Sequence, residues 1–240
     1  MRTLLAITTY NQIEYTKKLI NTLKNIKISD LDIVFIDDVS KDGTQKFIKE
    51  LGYDINERVK PMGLTYSWNI AYRKFKEENY DTLILSNNDV LLTTESILNL
   101  INCTKQYSLV CPMSTKKGAG HNWQSQDVLI HYPNIGVDVQ LPKNYKLVQQ
   151  KLLTKEVKMS KFNGFLFAMS KEIIKSEFDS NNLFNPALTN VHQEGDLQSR
   201  MKELPVVSLG SFVFHYKGVS FPKKGMNNGK DIRQNLNLYH

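Results

Sequence analysis

Four short polar clusters in this 240-residue chain carry side chains that can do chemistry. Asn87-Asn88-Asp89 follows the apolar run 82–86 (TLILS). An aspartate at a strand end suits a divalent cation. Mg²⁺ and Mn²⁺ take oxygen ligands and often use only one or two carboxylates, with phosphates and water completing the shell. Asparagine is the weaker ligand, so Asp89 is the anchor. Read structurally, the same cluster is an Asx turn before a helix starting at Thr93-Thr94-Glu95. Asp37-Asp38 ends the run 31–37 (LDIVFID). A carboxylate there can accept hydrogen bonds from a base or ribose, or cap the segment after Gly43. Of the two, Asp38 is assigned to turn structure and Asp37 to a ligand.

Gln193-Glu194-Gly195-Asp196 opens a helix. The helix dipole favours acids in a first turn whatever their role. A carboxylate within hydrogen-bond reach of an acceptor hydroxyl would also serve as a general base. His215 ends an apolar stretch, with Lys217 two residues on. At this point a structural and a functional histidine are equally good readings.

These clusters need elements to hold them. Residues 3–9, 31–37, 82–86 and 107–113 read as buried strands. Tyr15, Leu19, Leu23 and Ile26 mark a helix by their spacing, as do Leu64, Trp68, Ala71, Tyr72 and Phe75 over 64–78. A short helix with Phe47, Ile48 and Leu51 and a fourth through Leu98 and Ile101 complete the first half. Strands alternating with helices predict an α/β fold with a mostly parallel central sheet flanked by helices. Ligands of such sheets bind beyond the carboxyl ends of the strands. Thr8-Thr9-Tyr10-Asn11, Asp37-Asp38 and Asn87-Asn88-Asp89 all stand at such ends. Residues 114–155 show little periodicity and read as functional loops. Residues 162–170 read as a strand, 193–203 as a helix and 206–214 as one strand or two. The polar tail 219–240 reads as a C-terminal arm. No linker or repeat divides the chain, so one domain is expected over 1–240.

The net charge is +7, but the basic residues are dispersed. No arginine-rich segment or basic heptad helix argues for nucleic acid as a partner. Cys103 and Cys111 lie in apolar stretches without metal-ligand spacing, and are expected as buried free thiols in a reducing compartment. No secretory leader and no apolar run of membrane-spanning length is visible, so the expected location is cytoplasmic. Nothing resembles a dinucleotide fingerprint, a P-loop, a nucleophile elbow or a zinc-protease helix.

The order of these clusters resembles the family-2 glycosyltransferases of the GT-A fold, over about residues 3–218. Thr8-Thr9-Tyr10-Asn11 is similar to that family's opening T-x-Y-N. Val34 through Thr44 (VFIDDVSKDGT) is similar to its long V-x-x-D-D-x-S-x-D-G-T signature. Pro61-Met62-Gly63-Leu64 through Asn69 resembles its N-x-G-x-x-x-A-x-N segment. Asn87-Asn88-Asp89 stands where the D-x-D motif belongs, in a form similar to rhamnosyltransferase-like members. Phe162-Asn163-Gly164-Phe165-Leu166 resembles the glycine-bearing strand ahead of the acceptor site. Gln193 through Leu197 is similar to E-D-x-D-L, with Gln193 in place of an acid.

The resemblance implies an inverting, metal-dependent transfer from a UDP- or dTDP-sugar to a hydroxyl of a glycan or glycoconjugate. Thr8, Tyr10, Asn11, Asp37 and Gly63 would hold the nucleoside. Asn87 and Asn88 would face ribose and diphosphate. Asp89 and His215 would bind Mn²⁺ or Mg²⁺, with Lys217 beside the diphosphate. Glu194 stands where the family's base stands, and Asp196 is the other candidate. Residues 1–110 would form the donor half and 111–218 the acceptor half. Two rival functions are weaker. A sugar-1-phosphate nucleotidyltransferase would want a G-G-x-G-T-x-x-P stretch near the N-terminus, which is absent. A non-catalytic nucleotide-sugar-binding protein would account for the altered acidic motifs.

Overall fold

The apolar runs that end in polar clusters become neighbouring strands. The computed structural model describes residues 1–120, 123–172, 174, 181–189 and 192–218. In it β1 (Thr3–Thr9), β2 (Leu31–Asp37), β3 (Asp54–Glu57) and β4 (Thr82–Asn87) pair in parallel in the order β3-β2-β1-β4. Helices α1 (Ile13–Leu23), α2 (Thr44–Glu50) and α3 (Leu64–Glu77) connect them. Every residue of β1 is buried. Strand alternation sends Leu4 and Ala6 to a cluster with Trp68, Ala71 and Tyr72 of α3, and Leu5 and Ile7 to one with Leu19 and Ile20 of α1. Both faces are therefore covered, which explains the continuous apolar run.

The second half is mixed. It contains β5 (Val90–Leu91), α4 (Thr94–Cys103), β6 (Leu109–Met113), β7 (Val157–Met159), β8 (Leu166–Ser170), β9 (Val206–Phe212) and β10 (Phe214–His215). The full sheet order is β3-β2-β1-β4-β8-β6-β9-β7, and β5 pairs with β10 separately. Strand β8 runs antiparallel to both β4 and β6, and β7 runs antiparallel to β9. The parallel character thus belongs to the β3-β2-β1-β4 block and to β6 with β9. Strand β3 has one apolar residue and β7 has three residues in all, too little for periodicity to register.

Residues 114–155 are less irregular than expected. They hold α5 (Lys116–Ala119), α6 (Trp123–Gln126), α7 (Val128–His131), a 3₁₀ turn over Pro142–Asn144 and α8 (Tyr145–Gln150). These elements are too short for a helical period. The expected strand 162–170 starts only at Leu166, because Phe165 N–H turns back to Asn163 O at 2.9 Å. The expected helix 193–203 is α9 (Gln193–Arg200). Thr93 caps α4, accepting from Ser96 N–H, while the Ser96 hydroxyl accepts from Thr93 N–H. The arm 219–240 and His121 lie outside the described residues. Cys103 and Cys111 are free, and burial raises the pKa of each. No helix among the described residues is long and apolar enough to cross a membrane.

One side chain of α3 bonds both backbone groups of Phe184. Asn69 donates from Nδ2 to Phe184 O at 2.8 Å and accepts from Phe184 N–H at Oδ1 at 2.9 Å. All of this is buried. Asn69→Leu would orphan a buried donor and acceptor, each costing about 1–3 kcal/mol. We expect a loss of roughly 2–6 kcal/mol in the urea unfolding free energy, with the m-value unchanged.

Candidate active site

Parallel registry brings the polar ends together. Thr8 lies opposite Asn87, and Thr9 opposite Asp37. Beyond these ends is a cavity of about 850 Å³. Its wall includes Thr8, Tyr10, Gly63, Asn87, Asn88 and Asp89 from the first half, and Glu194, His215 and Lys217 from the second. Asn11, Asp37 and Asp196 are not on that wall.

The two aspartates at the end of β2 differ in what they reach. Asp37 is fully buried and accepts from the hydroxyls of Thr9 and Ser40, from Ser40 N–H and from Gln45 Nε2. These four donors come from the end of β1, the loop after β2 and α2, so the Asp37 carboxylate ties the ends of β1 and β2 together. Asp38 reaches the cavity instead. Its two oxygens accept from Met62 N–H and Gly63 N–H, each at 2.8 Å, and it pairs with the buried guanidinium of Arg58. Gly63 holds φ 84°, a left-handed value that explains the glycine.

Asn11 is also a loop residue. Its N–H bonds Ser40 Oγ at 2.7 Å and its Oδ1 accepts from Lys41 N–H at 2.8 Å. Asp42 completes this knot by accepting from Ile13 N–H and from the N–H and hydroxyl of Thr44. Burial opposes its ionisation, but those bonds together outweigh burial and hold its pKa below normal. Asn88 has a double position. It lines the cavity, yet its Nδ2 donates to Thr16 Oγ1 at 3.0 Å and Asn11 O at 3.2 Å, clasping the β4 end to α1.

Asp89 and His215 meet because β5 and β10 pair, with Val90 opposite His215. Asp89 O also accepts from Tyr216 N–H. His215 Nδ1 lies 2.7 Å from Gly118 O. A carbonyl only accepts, so Nδ1 carries the hydrogen and Nε2 of the neutral ring presents a lone pair. That Nε2 stands 3.2 Å from Asp89 Oδ1, and both residues are buried. Lone pair facing carboxylate is repulsive unless a proton or a cation lies between them. Adjacent ligands of a six-coordinate cation with bonds of about 2.1 Å stand about 3 Å apart. The spacing and the backbone-anchored imidazole both fit a metal. Among the described residues no cluster of three or more His, Cys, Asp or Glu exists for one, so these two ligands would need phosphate and water to complete a shell.

Glu194 and Asp196 part company on α9. They stand two residues apart, nearly opposite on a helix. Glu194 lines the cavity, whereas Asp196 bonds Arg200 at 2.9 and 3.1 Å, four residues on. Asp196 is therefore a helix-surface ion pair and not a cavity group. Lys217, at φ 55°, sends its ammonium directly over Gly120, and burial lowers its pKa.

The family is decided by sequence. The model of glycosyl transferase family 2 matches residues 5–174. The chain belongs to that family. A search among curated proteins finds no match. Among solved structures it is similar to a Pyrobaculum calidifontis mannosyltransferase, PcManGT, determined with GDP-Man and Mn²⁺ (TM-score 0.63, 13% identity, 99% of this chain, 64% of that one). It is similar to residues 1–349 of S. aureus TarS (TM-score 0.62, 12% identity, 99% of this chain, 64% of that one). It is also similar to GalNAc-T7 determined with UDP, GalNAc and Mn²⁺ (TM-score 0.66, 13% identity, 98% of this chain, 47% of that one). The expected GT-A fold is present, and the chain spans less than two thirds of each of these relatives.

In this family-2 transferase, further cavity residues are Asn163, Gly164, Phe165, Thr189 and Gln193. Gly164 and Gln193 carried a sequence signal through the family motifs; Thr189 carried none. Gly164 is tightly constrained. A β-carbon there would stand 2.6 Å from Glu194 Oε1 and 2.6 Å from Trp68 Cη2. Trp68 is fully buried against Phe167 and Phe184 and has nowhere to go. Gly164→Ala should therefore displace Glu194. We expect overpacking of about 1–3 kcal/mol in thermal or urea unfolding, together with a moved Glu194 carboxylate in a crystal structure of the variant.

Proposed function

We propose that this family-2 glycosyltransferase moves a sugar from a nucleoside-diphosphate donor, UDP- or dTDP-linked, to a hydroxyl of a glycan or glycoconjugate in one inverting displacement. The observation that carries the reading is the Asp89–His215 pair, set for a cation in the same cavity as Glu194. The Mn²⁺ and the UDP or GDP-Man with which the similar structures were determined support it. Asp38, Thr8, Tyr10 and Gly63 are proposed to hold the nucleoside, Asp38 taking the place first given to Asp37. Asn87 is proposed to face the ribose and diphosphate.

Glu194 would accept the proton of the acceptor hydroxyl as that oxygen bonds to the anomeric carbon. The bond from that carbon to the diphosphate oxygen breaks on the opposite side, and the nucleoside diphosphate leaves. Asp89 and His215 would hold Mn²⁺ or Mg²⁺, which when bound neutralises charge on the diphosphate. The Lys217 ammonium would add a second positive charge there. The Asn-Asn-Asp form makes dTDP-rhamnose a donor to test beside UDP-sugars. The donor and acceptor halves of the chain are proposed to share this cavity. The free Cys103 and Cys111 support a reducing, cytoplasmic compartment.

Two measurements test the proposal. Glu194→Gln should lower turnover by about 10²–10⁴-fold, the usual worth of a positioned base, with donor affinity retained. Near-normal turnover in that variant would remove Glu194 from the mechanism. In thermal-shift assays a true donor at 100 times its Kd adds about 2.7 kcal/mol of stability. That gain should require Mn²⁺ or Mg²⁺ and vanish in Asp89→Asn and in His215→Ala. A gain indifferent to the cation would sink the metal assignment.

A further inference from the structure

One surface segment of the second half has a composition that the proposed transfer chemistry does not use. Residues 141–161 contain six lysines and one acidic residue, Glu156. All six lysines, at 143, 146, 151, 155, 158 and 161, are exposed. Interleaved with them are apolar side chains turned to solvent: Leu141 at 40% exposure, Leu147 at 51%, Leu153 at 92% and Met159 at 73%.

The fold lays the end of this segment along the outer edge of the sheet, after α8. Strand β7 ends the sheet order, and Met159 pairs with Val206 and Val157 with Ser208. Upstream, Glu156 O accepts from Leu209 N–H, and Gln149 bonds Gly210 O and Phe212 N–H. Residues 156–159 thus run antiparallel beside β9 as the last strand of the sheet, and the Gln149 side chain ties α8 to the same strand. Buried Val148 and Leu152 anchor the segment, so the exposed leucines are not needed for its packing.

Charge on an edge strand guards against unwanted strand pairing. That accounts for Lys158. It does not account for Leu153 and Met159, whose exposure works against the same purpose. Lysines beside solvent-facing leucine and methionine are what an anionic lipid surface recognises: the ammonium groups take the headgroups, and the apolar side chains enter the interface. We propose that residues 141–161 dock this protein onto an anionic membrane surface. The same segment runs from Lys161 through Phe162 directly into Asn163 and Gly164 of the cavity wall. Docking would therefore set the cavity close to a lipid-carried acceptor. The binding itself does not depend on the proposed catalytic roles.

Vesicle co-sedimentation with the full chain tests this. We expect binding to vesicles of equal phosphatidylcholine and phosphatidylglycerol, no binding to phosphatidylcholine alone, and loss at 0.5 M NaCl as screening shortens to a few ångströms (~4 Å). Each lysine near such a surface is worth roughly fivefold in partition. The triple variant Lys143→Glu, Lys146→Glu, Lys151→Glu should weaken binding about 100-fold or more. Leu147→Ser with Leu153→Ser should weaken it several-fold without changing its salt dependence. Lys46→Glu, on α2 beside the opposite sheet edge, should leave it unchanged, and circular dichroism checks that each variant is folded. Failure to bind anionic vesicles, or binding undiminished in both segment variants, overturns the proposal. Duplex DNA binding that the triple variant abolishes, without vesicle binding, reassigns the patch to nucleic acid and overturns it equally.

Discussion

The imidazole of His215 cannot face the carboxylate of Asp89 at 3.2 Å without positive charge between them, because its Nδ1 hydrogen already belongs to Gly118 O. Much of the second half serves to impose that arrangement. The short pairing of β5 with β10 fixes the two backbones. Gly118 has no room for a β-carbon, which would crowd Ser114 Oγ and His215. The carbonyl can approach the ring only because glycine stands there. Phe165 lies flat on the imidazole at 4.6 Å between ring centroids, which limits its rotation. A histidine so confined has one nitrogen to offer and one direction in which to offer it.

The first half supplies the other wall by a different device. Parallel strands deliver their carboxyl ends to one side, and each end opens into a loop with unpaired backbone donors. Asp37, Asn11 and Asp42 collect those donors. They bond residues of the β1–α1 loop to residues of the β2–α2 loop. The loops are thereby held without the regular ladder, and Asp38 is left at the surface of the cavity. Under the proposed function, rigidity of these loops would spare the cost of ordering them when a nucleotide binds.

What could be read in the sequence follows from this division. The strand-end clusters were visible because a buried parallel strand is continuously apolar and its polar end is abrupt. The choice between Asp37 and Asp38 was not. Both faces of such a strand are covered, so alternation carries no sign of which side holds a ligand. Arg200 holds Asp196 off the cavity that Glu194 lines, and its i,i+4 spacing from Asp196 is a local signal. Thr189 reaches the cavity only because its carbonyl bonds Thr65 N–H at the start of α3, a contact no spacing announces. The family motifs marked Gly63, Asp89 and His215, but the pairing of β5 with β10 that joins the last two is only two residues long.

One tripeptide joins the two halves of the site. Residues 163–165 read as strand because the apolar run Phe165 to Met169 continues from them, yet the chain turns there before β8 begins. A continued strand would alternate its side chains and send at least one of the three away from the cavity. The turn instead gives each a separate neighbour. Asn163 Nδ2 bonds Ala119 O, beside the glycine over which the Lys217 ammonium sits. Gly164 lies beneath the Glu194 carboxylate. Phe165 stacks on His215, while its carbonyl accepts from Asn87 N–H. In the proposed reaction these neighbours are the lysine beside the diphosphate, the base and the metal ligand. The distance between base and leaving group would then be set by two consecutive peptide bonds, which do not stretch, rather than by the packing of separate elements.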